Sequence, residues 1–206
     1  MKNRTNRAKY KYLSLLYDLL MGNRMFLIAR KRGINLLQIQ PDERLLLVGV
    51  GTGADLPLLP ADAHVTGVDL SPEMLAKAAA KANGPRVQLM EMNAEKLEFP
   101  DQHFDTVVLS LILSVVETPS QAMKEALRVV KEGGSILVFD KFLHDSVSPS
   151  LGRRLLNRIT SFIGTDINRR FEEIVAGLPV QVVHEESSLF KGSYRIIVLQ
   201  KEEGPK

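Results

Sequence analysis

The 206-residue sequence predicts an α/β fold built on an open, mostly parallel sheet. Three observations carry that prediction. Leu45-Leu46-Leu47-Val48 is an unbroken apolar run, which a strand needs when layers cover both of its faces. The run enters a loop with glycine at every second position, Gly49-Val50-Gly51-Thr52-Gly53, and then a short helix. Such a turn leaves the backbone bare and aims unpaired N–H groups at a ligand. Finally, strands alternate with helices until the end of the chain. There, Val180–His184 and Tyr194–Leu199 are joined only by a loop and so pair as an antiparallel hairpin.

The elements follow in order. Tyr10, Leu13, Tyr17 and Leu20 recur at helical spacing, with Leu16 and Met21 beside them, which predicts an amphipathic helix from about Lys9 to Met21. Gly22-Asn23 interrupts it, and a second helix runs from Arg24 to Leu36. Pro41-Asp42 then delivers the chain to the first strand. Asp55–Leu59 is a short helix stopped by Pro60. His64–Asp69 is the second strand. At Ser71-Pro72-Glu73 the serine caps, the proline takes a position that needs no donor, and the acid suits the positive helix end. That helix reaches about Ala82. Val87–Met92 and Phe104–Leu113 are strands, Ser120–Val130 is a helix closed by Gly133-Gly134, and Ser135–Phe139 is the fifth strand.

Composition sets bounds. With 45% hydrophobic and 25% charged residues the chain is globular and long enough for one ordinary domain. It has no cysteine, hence no disulfide and no thiolate metal site, and no metal-ligand cluster is expected elsewhere. No run has membrane-span length and no signal-peptide core follows the basic start, so the expected location is the cytoplasm. Charge is uneven. The first 40 residues hold nine of the 27 Lys and Arg but one of the 24 acids. A basic arm on an acidic body points to an anionic partner, or to a plain solvated helix face. The arm carries no recognisable nucleic-acid motif, and no nucleic-acid partner is expected.

The glycine loop alone admits two ligands. Gly49 to Ala54 satisfies the dinucleotide pattern G-x-G-x-x-A, and equally the G-x-G-x-G form of S-adenosylmethionine (AdoMet) sites. Asp69, twenty residues after Gly49, serves either, since a carboxylate accepts from both ribose hydroxyls.

Further motifs separate the two. The loop is followed by Val65-Thr66-Gly67-Val68-Asp69-Leu70-Ser71-Pro72-Glu73-Met74-Leu75, Asn93-Ala94-Glu95, Phe99-Pro100-Asp101, Phe104-Asp105, and Arg128-Val129-Val130-Lys131-Glu132-Gly133-Gly134, then the hairpin. In this order they resemble the class I AdoMet-dependent methyltransferases over about residues 41–200. The resemblance implies a Rossmann-like seven-stranded methyltransferase sheet of order 3-2-1-4-5-7-6, with strand 7 antiparallel and helices on both faces, and AdoMet as cofactor. Within the family, Val48–Gly53 with Asp55-Leu56-Pro57-Leu58, and the tyrosine-bearing basic N-terminal helix, look most like the bacterial phosphatidylethanolamine N-methyltransferases. Residues 1–40 are then basic helices forming a cover or an interfacial surface. Residues 41–206 are the methyltransferase domain, with an insertion at 141–179 rich in Arg and Leu.

The resemblance also implies site residues. Gly49, Gly51 and Gly53 would lie under the methionine and ribose of AdoMet, and Asp69 would take the ribose hydroxyls. Leu70 and Met74 pack on adenine or simply in the core. Asn93-Ala94 stands where the family carries Asp-Ala to read the adenine amino group, with an amide oxygen in place of the carboxylate. Ser110 and Leu111 fall where the backbone meets the methionine moiety. Leu47 departs from the family, which carries an acid two residues before the first glycine. Asp18 or Tyr17, folding over from the N-terminal helix, would be its replacement. The sulfonium is already activated, so a proton acceptor for the methyl-accepting group is the main chemical demand. Tyr17 is the catalytic candidate, with Asp140, Lys141 and His144 as alternates. His64, His103 and His184 are given no role. The function expected is N-methylation of phosphatidylethanolamine at an anionic membrane surface. Alternatives are a methyltransferase for a quinone precursor or soluble small molecule, and a nucleotide-binding relative without catalysis.

Overall fold

The computed structural model describes residues 23–82, 86–143, 157, 165–190 and 192–202. Strand β1 (Arg44–Val48) lies at the centre of a seven-stranded sheet. Around it stand β2 (His64–Asp69), β3 (Val87–Glu91), β4 (Phe104–Ser110), β5 (Val130–Lys141), β6 (Val180–Ser187) and β7 (Tyr194–Lys201), in the order β3-β2-β1-β4-β5-β7-β6. All pairings are parallel except that β7 runs antiparallel to both β5 and β6. The expected order and the reversed strand are both present.

The apolar run of β1 is explained by two layers. Leu46 and Val48 enter one core with helix α3 (Pro119–Val129) and helix α4 (Phe171–Val175). Leu45 and Leu47 enter the other with helix α1 (Arg24–Leu36) and with Ala78 of helix α2 (Pro72–Ala79). None of the four is more than 2% exposed, so period-2 alternation of side chains produces a continuous apolar sequence.

Helix α1 starts where Asn23 accepts the N–H groups of Met25 and Phe26. Its Gly33 lets it lie on the sheet, with the missing Cβ facing Leu137 at 3.2 Å. Its Phe26 meets Phe139 and Tyr194 edge-on. Ser71 caps α2 as its sequence predicts, its Oγ accepting the Met74 N–H at 3.3 Å.

Several boundaries differ from expectation. The segment after Asp55 is a 3-10 turn, Leu56–Leu58, cut short by Pro57 and Pro60. Helix α2 ends at Ala79, three residues early. Strand β4 stops at Ser110 because Leu111 takes a left-handed φ of 58°. Gly133-Gly134 does not close a helix. Helix α3 ends at Val129 and β5 begins at the next residue, with Gly133 (φ 68°) inside the strand where the register against β4 shifts. The helix predicted from Lys9 to Met21 and most of the 141–179 insertion lie outside the described residues.

Candidate active site

The chain leaves β1 for β2 on one side and returns to β4 on the other, which opens a crevice at the carboxyl ends of β1 and β4. The glycine loop lines it. Gly49, Gly51 and Gly53 all have left-handed φ, of 69°, 55° and 74°. Their surroundings differ. A Cβ on Gly49 would meet Ile112 Cδ1 at 2.6 Å, and one on Gly53 would meet the Ala78 backbone at 2.9 Å. Among the described residues, a Cβ on Gly51 would meet only the Gly49 carbonyl oxygen, at 3.9 Å. Protein packing therefore demands glycine at 49 and 53, whereas Gly51 keeps open space open, as a ligand cradle does.

Asp69 joins this loop to the start of α2. One carboxylate oxygen accepts the Gly51 N–H and the other the Ser71 N–H, both at 2.9 Å. Burial pushes its pKa up, against the lowering effect of those backbone donors. Each oxygen keeps a lone pair for a further donor. With Ser71 already capping α2, Asp69 is a carboxylate held over the crevice.

The remaining candidates spread around the same edge. Met74 is buried in α2 and Leu70 is half-buried. Asn93 Oδ1 accepts the Glu95 N–H at 3.0 Å, so part of its acceptor capacity closes a turn, and Ala94 packs in the core. Arg128 organises this turn. It donates to the carbonyls of Leu97 and Phe99 and pairs with Asp101 and Glu125, while Glu125 also accepts the Leu97 N–H. Ser110 ends β4, and the Leu111 N–H donates to the Phe139 carbonyl at 2.7 Å. A non-glycine residue in the left-handed region costs free energy, and such strain collects at functional edges.

Near the carboxyl end of β5, Asp140 is fully buried and accepts the N–H groups of Ser114 and Lys141. Enclosed and engaged with backbone donors, it is a brace for the loop after β4, not the accessible proton acceptor expected of it. Arg169 clamps the same loop from the far end of the insertion, donating to the carbonyls of Leu113 and Val116. Tyr17, Asp18 and His144 lie outside the described residues.

The basic residues of α1 do not act as one cluster. Arg30 is buried and pairs with Asp55, just past the last loop glycine, at 2.5 Å, both side chains being 6% exposed. Arg32 makes a two-pronged contact with Glu186 on β6. The burial of Arg30 was legible in principle, because it shares a face with Phe26, Gly33 and Ile34. Its pairing with Asp55 was not, since nothing local links the two. Leu47, 2% exposed, packs in the α1-side core, so the strand end before the loop offers no carboxylate.

The open space at Gly51, the buried carboxylate of Asp69 with lone pairs to spare and the braced turn at Asn93 are compatible with AdoMet. Residues 46–138 match the family model described as methyltransferase domain. The chain is 34% identical to a phosphatidylethanolamine N-methyltransferase of Cereibacter sphaeroides over 162 residues, covering 77% of this chain and 80% of that one. It is 35% identical to a demethylmenaquinone methyltransferase of Chlorobaculum tepidum over 137 residues, 65% of this chain but only 55% of that one. Among solved structures, a chain of the complex between the Haloferax volcanii Trm112 methyltransferase activator and a methyltransferase superposes with a TM-score of 0.80, at 16% identity, over 97% of this chain and 99% of its own length. A methyltransferase of Thermotoga maritima superposes with a TM-score of 0.68 at 23% identity, over 95% of this chain and 99% of that one. Identities that low speak for the fold alone. The sheet, the glycine loop and the relative matched over 77% of this chain agree: this chain belongs to the class I AdoMet-dependent methyltransferases.

Proposed function

We propose that this enzyme N-methylates phosphatidylethanolamine at a membrane surface. The observation that carries the reading is the likeness to the Cereibacter sphaeroides enzyme across four-fifths of that protein's length. Helix α1 supports the surface location. Met25, Leu27 and Ile28 are 45–59% exposed on a helix that also carries Arg24 and Lys31 and holds no acid, its Arg32 being paired with Glu186. Phe190, 57% exposed at the turn between β6 and β7, stands beside Phe26 of that helix. Exposed apolar residues flanked by cations suit an interface with anionic lipid, where each cation contributes about 1 kcal/mol. No helix among the described residues is long and apolar enough to cross a membrane.

In this reading AdoMet supplies an activated methyl group, and the chain aligns donor and acceptor. Gly51 admits the cofactor to the loop, Asp69 accepts its ribose hydroxyls, and Asn93 with Ala94 borders the adenine. Met74 and Leu70 wall that side, and Ser110 and Leu111 place backbone beside the methionine end. Asp140 and Arg169 hold the loop after β4 so that the crevice keeps its shape. Tyr17 remains the catalytic residue proposed to receive the proton of the acceptor amine. Residues 1–40 act as the interfacial cover and residues 41–206 as the catalytic domain.

The test is incubation with methyl-labelled AdoMet and vesicles of phosphatidylethanolamine mixed with anionic lipid, followed by counting the lipid extract. Label in the lipid, lost when phosphatidylcholine replaces phosphatidylethanolamine, is expected. An unlabelled extract overturns the reading. The likeness to the menaquinone enzyme favours a second reading, C-methylation of a quinone precursor. Demethylmenaquinone in the same vesicles tests it: label there and none in the phospholipid would establish it instead.

A further inference from the structure

Lys141 is the last residue of β5, at the carboxyl edge of the sheet beside the end of β4. It is half-buried. Its ammonium lies 5.9 Å from the centre of the Tyr194 ring. Among the described residues it makes no hydrogen bond and no ion pair. The nearby groups do not hydrogen-bond the ammonium, although the Asp140 charge favours it. Asp140 spends its oxygens on the N–H groups of Ser114 and of Lys141 itself, not on the ammonium. Burial pushes the Tyr194 hydroxyl up to about 12, so it stays a neutral phenol. Arg169 adds like charge. Burial, and then that arginine, push the Lys141 ammonium below the usual lysine range, while Asp140 opposes them.

A partly desolvated ammonium without a hydrogen-bonding partner, beside another cation, is costly to keep, and the aromatic face and the Asp140 charge offset only part of that cost. An arriving anion removes that cost. Resting on the phospholipid reading above, we propose that Lys141 recognises the phosphodiester of the methyl acceptor, its ammonium binding a non-bridging phosphate oxygen. In an ethanolamine phosphodiester only two carbons and an ester oxygen separate the amine from phosphorus. An anion held at the end of β5 thus leaves the amine free to reach the donor methyl over β1 and β4. Beside Lys141 the buried rings of Tyr194 and Phe26 pack with the exposed Phe190, next to the exposed face of α1.

Lys141→Met and Lys141→Arg test this. The methionine variant should raise KM for phosphatidylethanolamine vesicles about tenfold or more, the effect of losing one charge-assisted contact, with KM for AdoMet held. The arginine variant should restore most of it. A loss confined to kcat, with an altered pH profile and no rescue by arginine, would make Lys141 a proton acceptor and overturn the proposal. A second measurement needs no turnover. Titrating the AdoMet-bound protein with glycerophosphoethanolamine in a calorimeter should give binding in the wild type, at least about tenfold weaker binding in Lys141→Met, and none with free ethanolamine. Equal behaviour of wild type and Lys141→Met, including absence of binding in both, overturns the inference whatever the acceptor proves to be. Headgroup binding without methylation of phosphatidylethanolamine would instead overturn the function proposed above and leave this anion site standing.

Discussion

The glycines of the loop give three alanine substitutions with separable outcomes. All three sit at positive φ, where alanine costs about 1–2 kcal/mol. At Gly51 that is the whole structural cost among the described residues, whose nearest atom to an added Cβ is 3.9 Å away. Gly51→Ala should fold, with Tm lowered by about 2–4 °C for each kcal/mol. At Gly53 the Cβ meets the Ala78 backbone at 2.9 Å, which cannot yield without moving α2, so overpacking adds about 1–3 kcal/mol. At Gly49 the clash is with the Ile112 side chain, which can turn aside only in part because its Cβ also lies at 3.0 Å, and the cost falls between the other two. Stability by urea unfolding without ligand should therefore rank Gly51→Ala above Gly49→Ala above Gly53→Ala. AdoMet affinity by calorimetry should rank differently. The Gly51→Ala methyl fills the space a ligand would occupy, and binding should fall at least about tenfold, or 1.4 kcal/mol, in a well-folded protein. Wild-type affinity in Gly51→Ala would refute the cradle. Equal stability of the 51 and 53 variants would refute the packing argument.

Three further outcomes follow from single residues. Asp69→Asn should weaken AdoMet by about tenfold to a hundredfold, the value of hydrogen bonds to a charged acceptor. Burial raises the Asp69 pKa, so wild-type affinity should decline on acidification at a pH above the usual aspartate range, and calorimetry across that range should find the Asn variant flat. Arg30→Met strands the buried Asp55 carboxylate and should cost about 3–5 kcal/mol in urea unfolding, most of it recovered in the double variant Arg30→Met/Asp55→Leu. Arg128→Met should loosen the turn from Asn93 to Asp101 and weaken AdoMet binding. The Arg128 hydrogen bond depresses the Glu125 pKa, so the stability it confers is full above the unfolded value near 4.5 and is lost as pH falls through the folded value; the stability gap between wild type and Arg128→Met should narrow only below about 4.5.

The parts of the fold legible in the sequence are those whose physics is local. Leu45–Val48 announces a strand covered on both faces because burial writes itself into consecutive residues. Ser71-Pro72-Glu73 announces a helix start because cap, ring and charge act within one turn. The antiparallel hairpin is forced by a linker too short for a crossover. Gly133 misled because a glycine after a helix usually ends it, while here it serves a register shift set by the pairing of β5 with β4, which sequence spacing does not display. At the site, loop glycines and Asp69 were visible from motif spacing. The braces were not. Arg128 reaches carbonyls about 30 residues away, and Arg169 reaches carbonyls more than 50 away, so both read in the sequence as ordinary surface charges.

The same distinction bears on how the cofactor loop is held. Leu47 gives the strand end to the core packed under α1, and the loop's restraint passes to Asp55, fixed by Arg30 of that helix. One helix therefore presents Met25 and Ile28 outward while its buried face grips the glycine loop. A force that tilts α1 at its outer face acts on the loop through a short, buried, charge-assisted contact, with Phe26 against Phe139 as a second rigid link. If α1 docks on lipid, AdoMet should bind more tightly with anionic vesicles present than without them, and Arg30→Met/Asp55→Leu should erase that difference even where it restores stability. Equal AdoMet affinity with and without vesicles in the wild type would separate the two faces of the helix and leave Arg30 a purely structural residue.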